Sequence, residues 1–165
     1  MIRRSKKFQQ LYRQIVCDRV LEACASVPEI TDRPSDDLFQ TLIAFPEIDD
    51  GEALLYAMLA QQPTFMLASA DKRAMKIVGS LDNPTGIRDS VAGRVIALET
   101  VLRQLVAQDG VEPIAEAFAS FPDHKTLQVV FSPVNSSDKQ RCLASIESYL
   151  RELKGEVGDD FLYES

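Results

Sequence analysis

The sequence has little of what disulfide frameworks and zinc sites are made from. It contains three cysteines, one histidine and no tryptophan. Cys17, Cys24 and Cys142 include no Cys-x-x-Cys pair, and their odd number prevents complete pairing within one chain. We therefore expect neither a disulfide framework nor a thiolate zinc site. Cysteine use of this kind favours a reducing compartment, which predicts a cytoplasmic protein.

Long apolar runs and nucleotide-binding loops are also missing. No stretch approaches the about 18 uninterrupted apolar residues of a membrane-spanning helix, so no membrane association is expected. Residues 5–27 are apolar only at helical spacing and are interrupted by charged side chains, unlike the core of a signal peptide. No P-loop, Gly-x-Gly-x-x-Gly or Gly-x-Ser-x-Gly pattern occurs, so neither a nucleotide-binding fold nor a serine hydrolase is predicted.

Positive charge is in the minority. There are 18 Lys and Arg residues against 25 Asp and Glu residues, for a formal net charge of −7. A chain of this charge repels phosphate over most of its surface. Any contact with nucleic acid must therefore depend on a local group of basic side chains.

The hydrophobic content predicts a folded protein with a core. The 165 residues are 45% hydrophobic, which is enough for a core, and we expect a single domain over residues 1–165. Apolar residues at helical spacing predict a long N-terminal helix over 5–27 and a short helix from Ser35 or Asp36 to about Ile43. The next helix, Glu52–Gln61, is apolar around much of its circumference, so we expect deep burial.

Two short apolar runs predict a parallel sheet. Phe65–Ser69 is an uninterrupted apolar run, which predicts a central strand that is covered on both faces. Val95–Leu98 is a second run of this kind. Each run leads directly into a helical pattern, over 71–79 and from Glu99 onward. This order of strand, helix, strand and helix indicates an α/β fold with a short parallel sheet.

The chain beyond Gly110 reads as helices alone. The best marked covers Ser137–Leu153, because Ser137 and Gln140 form a capping-box pattern and Gly155 follows the last apolar position. We expect an α/β core over about residues 36–109 and a helical C-terminal extension over about residues 110–155.

Acidic residues follow both predicted strands. Asp71 and Glu99 come just after the two apolar runs, and Glu52 lies in the first turn of the preceding helix. Side chains at the carboxyl ends of parallel strands converge on one edge of a sheet. Oxygen ligands without His or Cys suit Mg²⁺ or Mn²⁺, so Glu52, Asp71 and Glu99 are the candidate metal ligands and catalytic residues. Lys72 and Arg73 are the candidate phosphate contacts.

Three segments together resemble the PIN-like domain family of metal-dependent ribonucleases. These segments are DDGEALLYAML (49–59), FMLASADKRAMKIV (65–78) and GRVIALETVLRQL (93–105). The resemblance implies a three-layer core and matches Glu52 and Asp71 to acidic positions that help to hold metal. PIN domains begin with a strand that carries an aspartate, whereas this chain begins with the helix 5–27. The implied acidic site is therefore incomplete.

Simpler interpretations of the same residues remain open. Asp71 is placed to cap a helix, and Glu52 and Glu99 are placed to favour helix dipoles, without any metal. Lys72 and Arg73 can form a solvated helix face. The alternative to a ribonuclease acting on RNA is a non-catalytic interaction module that uses the helices 5–27 and 137–153 to bind a protein partner or a second copy of itself.

Overall fold

The computed structural model describes residues 33–81, 85–118 and 124–164, together with Asp18, Glu22 and Ala25. The chain divides into two compact units, Met1–Arg33 and Pro34–Ser165. In the first unit, Asp18, Glu22 and Ala25 are helical and exposed, and the rest of the predicted helix 5–27 lies outside the described residues. All that follows concerns the second unit.

Helices dominate the second unit, and two short strands interrupt them. In chain order the elements are α1 (Asp36–Ile43), α2 (Asp50–Gln61), β1 (Leu67–Ser69), α3 (Lys72–Gly79), α4 (Ile87–Val91), β2 (Val95–Ala97), α5 (Leu98–Asp109), α6 (Val111–Phe118), α7 (Lys125–Val130), α8 (Pro133–Ser136) and α9 (Lys139–Val157).

The two strands pair in parallel, as predicted. Leu67 lies opposite Val95, and the register continues to Ser69 opposite Ala97. The strand–helix–strand order is therefore confirmed, and the general α/β class with it. On the other side of β2 the chain returns near its C-terminal end, where Leu162 forms a parallel bridge to Val95 and the Tyr163 amide donates to the Val95 carbonyl at 2.8 Å. The sequence pattern did not predict this third sheet segment, because one bridged residue has no periodicity.

Burial of β1 differs from the prediction of a covered central strand. Ala68 is exposed, and Leu67 and Ser69 are half-buried, so the expectation that both faces are covered was wrong. In the described residues, β1 pairs only with β2 and lies at the edge of the sheet. An apolar run can form an edge strand because its small residues, such as Ala68, lose little by facing solvent.

The prediction that α2 is deeply buried was also only partly right. Ala53, Tyr56 and Ala57 are buried, but the side chains of Leu54 and Leu55 are 44% and 50% exposed. The helix is thus buried along one face and exposed along another. Its apolar residues outnumber the positions that the core can cover.

The core is built around α9, which packs across α5 and α3. The buried face of α9 carries Cys142, Ile146, Leu150, Leu153 and Val157. Leu102 and Val106 on α5 and Ala74, Met75 and Val78 on α3 are buried in the same cluster. The C-terminal helix is therefore part of the core of this unit and not an appendage to it.

Helix α9 begins and ends later in the chain than the predicted range Ser137–Leu153. Asp138 caps the helix by accepting a hydrogen bond from the Gln140 amide at 2.8 Å, so the cap is Asp138 and not Ser137. Gly155 lies within the helix, which ends at Gly158, a residue with φ of 95°. Leu153 and Val157 both face the core, and this burial outweighs the weak helix preference of Gly155.

Arg88 fastens the short helix α4, which the sequence pattern did not predict. Its Nε donates to the Gly79 carbonyl at 2.9 Å, and its guanidinium pairs with Asp160 at 2.5 Å. One side chain thereby joins the end of α3 to the segment that returns to the sheet. In the described residues, no helix is long and apolar enough to cross a membrane.

Gly79 marks the closest approach of α3 to α9. A Cβ atom added to Gly79 would lie 2.7 Å from the Val157 Cβ and 2.9 Å from the Val157 carbonyl oxygen. We expect Gly79→Ala to lower the free energy of unfolding by about 1–3 kcal/mol, because the backbone of α9 must shift.

Gly155→Ala is the matched control, since nothing lies within 4 Å of the added Cβ. We expect it to stabilise the protein by about 0.5–1 kcal/mol, as alanine favours a helix over glycine. Urea denaturation of both variants measures the difference. Destabilisation of equal size in both would contradict the packing described here.

Candidate functional site

Asp71 lies between the end of β1 and the start of α3. Its Oδ1 accepts hydrogen bonds from the Arg73 amide at 2.8 Å and the Ala74 amide at 3.2 Å, so Asp71 is the N-cap of α3. Its own amide donates to Ser69 Oγ at 3.0 Å, which tightens the turn out of the strand. The carboxylate is thus fixed at the carboxyl end of β1, where the sequence placed it.

Glu52 is held at the start of α2 by a capping box. The Asp49 amide donates to Glu52 Oε2 at 3.0 Å, and Asp49 Oδ1 accepts from the Glu52 amide at 2.8 Å. This reciprocal pair satisfies two backbone donors that a helix start leaves free. One oxygen of Glu52 is used in the capping box, and Oε1 is not.

The carboxyl groups of Glu52 and Asp71 meet. Burial raises the pKa of Glu52, the Asp49 amide opposes this, and a hydrogen bond to the Asp71 carboxyl together with its negative charge raises the pKa further. Two carboxyl groups at hydrogen-bonding distance cannot both ionise without cost. Acidic side chains that lie 19 positions apart in the sequence (52 and 71) therefore share one space.

Asp71 is the member of the pair that stays ionised. Burial alone would raise the pKa of Asp71, but hydrogen bonds from the Arg73 side chain, from the amides of Ala74 and Arg73 and from Glu52 lower it. Arg73 contributes an ion pair as well, with its Nη2 3.2 Å from Asp71 Oδ2. As pH rises, Asp71 therefore loses its proton before Glu52 does.

Tyr56 adds a buried hydroxyl beside this pair, which sequence reasoning missed. The residue is only 1% exposed, and its hydroxyl has no hydrogen-bond partner among the described residues. Burial raises the pKa of Tyr56, and the negative charges of Glu52 and Asp71 raise it further. The available signal was the four-residue spacing from Glu52, which puts both side chains on one face of α2.

Glu99 occupies a different place. It is 1% exposed at the start of α5, and its Oε1 lies 2.6 Å from Lys72 Nζ in a close ion pair that lacks hydrogen-bond geometry. The same Nζ lies 4.9 Å from the ring centroid of Tyr149 on α9. Within the described part of the chain, no three Asp, Glu, His or Cys side chains gather as metal ligands. The structure thus brings together Glu52 and Asp71, while Glu99 is matched by Lys72.

The two candidate phosphate contacts are also separated. The Lys72 amino group faces Glu99 and Tyr149, so its charge is already balanced. The Arg73 side chain is 76% exposed and lies on Asp71. Beside them a cavity of about 210 Å³ opens on the sheet, lined by Ala68, Ser69, Ala70, Ile96, Leu98 and Val101. Of the two candidate phosphate contacts, Arg73 is the one that lies exposed at the Glu52–Asp71 pair.

Lys72→Met tests the ion pair that locks Glu99. We expect it to lower the free energy of unfolding by about 3 kcal/mol, because it leaves the carboxylate of Glu99 buried without a counter-charge. The double variant Lys72→Met/Glu99→Leu should recover most of this loss, since it removes both charges.

Lys76→Met provides the control for that measurement. Lys76 pairs with Glu156 at 2.7 Å, but both side chains are about 40% exposed. A pair that open to solvent is worth under about 1 kcal/mol. Equal losses for Lys72→Met and Lys76→Met in urea denaturation would show that Glu99 does not depend on Lys72.

Glu52→Gln tests the carboxyl pair through pH. The pKa of Glu52 is raised in the folded protein, so its contribution to stability is present at low pH and is lost as pH rises through that pKa. A glutamine keeps the capping bond and removes the repulsion. We therefore expect Glu52→Gln to be more stable than wild type at neutral pH, by under about 1 kcal/mol, and this gain to vanish in acid.

Glu112→Gln is the matched control, because Glu112 lies exposed in the first turn of α6. Removing its charge loses a favourable helix-dipole interaction, so a small change of opposite sign is expected. Thermal unfolding of both variants as a function of pH measures the effect. A Glu52→Gln protein that is less stable than wild type at neutral pH would exclude the repulsive pair.

Comparisons with protein-family models, with curated proteins and with solved structures found no match to this chain. Its function must therefore follow from the chemistry of the carboxyl pair of Glu52 and Asp71 and the groups around it.

Proposed function

We propose that this chain is a PIN-like protein that binds Mg²⁺ or Mn²⁺ through Glu52 and Asp71 and hydrolyses phosphodiester bonds in RNA. The observation that carries the proposal is the convergence of these two carboxyl groups at the carboxyl end of β1. A site of this kind requires separate segments to deliver anionic oxygens to one point, and the fold does so for two of them.

The donor set fits a hard divalent cation. Two carboxyl groups and one phenolic hydroxyl are all oxygen ligands, which Mg²⁺ and Mn²⁺ prefer. The Tyr56 hydroxyl is buried without a partner, and such a group usually has a water or an ion beside it. The raised pKa of Glu52 reports a local excess of negative charge, which a cation would relieve.

The remaining residues have distinct tasks in this scheme. A divalent cation, when bound, supplies an activated water and stabilises the charge that develops on the phosphoryl oxygens. Glu52, as the carboxyl group with the raised pKa, can hold or release a proton in that space. Arg73 is exposed and can contact a backbone phosphate by a bidentate interaction. With two carboxylates, the site holds one ion and not a pair of them.

Binding of Mn²⁺ is the direct test. Calorimetric titration of wild type should show one bound ion, and Asp71→Asn should weaken its binding by at least about tenfold, because one of two anionic ligands is lost. Asparagine is as good an N-cap as aspartate, so α3 should keep its start.

Asp50→Asn is the control, because Asp50 lies in the first turn of the same helix as Glu52 and is exposed. It should bind Mn²⁺ as wild type does. Cleavage of a single-stranded RNA, with and without a chelator, then tests activity separately from binding. No binding by wild type, or equal binding by wild type and Asp71→Asn, rejects the ligand set.

One observation favours the alternative of a non-catalytic interaction module. Leu54 and Leu55 are adjacent on α2 and largely exposed, and Met66 before β1 is 45% exposed. Exposed apolar groups of this kind can bind a protein partner or a second copy of the chain. Failure of wild type to bind Mn²⁺ would leave this as the remaining proposal.

A further inference from the structure

Three basic side chains line a second cavity, which the sequence did not indicate. Arg103 on α5 and Arg151 and Lys154 on α9 line a space of about 170 Å³, together with Glu147 and Leu150. We call Arg103, Arg151 and Lys154 the basic cluster. The chain has a formal net charge of −7, so three cations around one cavity are a local exception to its overall charge.

The helices that carry the basic cluster hold it in a fixed arrangement. Helix α9 packs directly on α5, and Leu102, Ile146 and Leu150 are buried between or beside them. A cluster on two packed helices keeps its spacing better than one on loops. The cavity is therefore a lasting feature of this interface and not a chance approach of mobile side chains.

The three cations of the basic cluster differ in their ion pairs. Arg103 Nη1 lies 3.2 Å from Glu147 Oε1, and Lys154 pairs with Glu164. Arg151 is exposed and has no ion-pair partner among the described residues. Arg151 is therefore the cation of the cluster that an anionic ligand can bind without breaking an ion pair.

Glu164 is an exposed anion that pairs with Lys154, one of the cations that line this cavity. It follows the segment that bridges to β2 through Leu162, and its side chain lies on Lys154. Lys154 lowers the pKa of Glu164, and the charge of Arg103 lowers it further. The last described residue of the chain therefore places a carboxylate where the basic cluster attracts anions.

We propose that the basic cluster of Arg103, Arg151 and Lys154 is a binding site for a phosphoryl group, which competes with Glu164 for Lys154. Two guanidinium groups and one ammonium group match the several acceptor oxygens of a phosphate better than the two of a carboxylate. Displacing Glu164 frees the Lys154 amino group to contact the phosphoryl oxygens beside Arg151. The site is separate from Glu52 and Asp71, so it does not depend on the function proposed for them.

Titration with inorganic phosphate tests the site on the full chain. Shifts of the amide NMR resonances of α5 and α9 would measure phosphate binding in wild type, Arg151→Gln and Glu164→Gln. Arg151→Gln should weaken phosphate binding about three- to tenfold, because it removes a charge-assisted hydrogen bond. Glu164→Gln should tighten binding about two- to fivefold, because an exposed competing ion pair is removed.

Arg141→Gln is the matched control. Arg141 lies on α9, is 63% exposed and is 3.9 Å from Asp138, away from the cavity. Its substitution should leave phosphate binding unchanged. Equal binding by Arg151→Gln and wild type, or no gain in Glu164→Gln, would overturn the proposal, whereas the opposite responses of the two variants would support it.

A second arm distinguishes the source of the phosphoryl group. Inorganic phosphate is compared with adenosine monophosphate, and the same three variants are used. Tighter binding of the nucleotide, still weakened by Arg151→Gln, assigns the site to a nucleoside phosphate. Equal binding of both assigns it to a free phosphate. Both assignments require the basic cluster. Binding of either ligand that Arg151→Gln leaves unchanged contradicts the proposal.

Discussion

The packing of α9 against α3 and α5 is the constraint on which the described structure depends. Its apolar face closes the core, and it comes so near to α3 at Gly79 that no side chain fits there. Because α3 begins at Asp71, this contact also fixes the helix start that carries the candidate site. Tyr149 on the same helix lies over Lys72, which in turn faces the buried Glu99. Burial, helix position and charge pairing are thus set by one interface.

Helix capping explains why acidic groups gather near β1. Asp49 and Glu52 satisfy backbone amides at the start of α2, and Asp71 does so at the start of α3. These two helix starts lie near each other. Tertiary packing brings these two helix starts together, and the contact between Glu52 and Asp71 then helps to raise the pKa of Glu52 and to lower that of Asp71. A structural task and a chemical one therefore use the same oxygens. The basic side chains of Arg103, Arg151 and Lys154 line a separate cavity, between α5 and α9.

The sequence patterns were most reliable where local and tertiary preferences agree. The two short strands, their parallel pairing and the helices that follow them were correctly predicted, because apolar runs and capping residues mark them locally. The errors have tertiary causes. Ala68 is exposed because β1 lies at the edge of the described sheet, and α9 continues past Gly155 because Val157 finds a place in the core. The short helix α4 and the bridge at Leu162 have too few residues for any periodicity.

The sequence by itself determined the local positions of Asp71 and Glu52 at two helix starts, since a cap depends on neighbours two or three positions away. It placed Asp71 after a strand and Glu52 in a first turn for that reason. Only the tertiary structure decided which carboxylates meet. Glu52 and Asp71 share a space, and Glu99 is held by Lys72, because a charge takes its partner from whichever element packs beside it. The Tyr56 hydroxyl and the basic cluster were likewise hidden, as their meaning comes from burial and from helices distant in the chain.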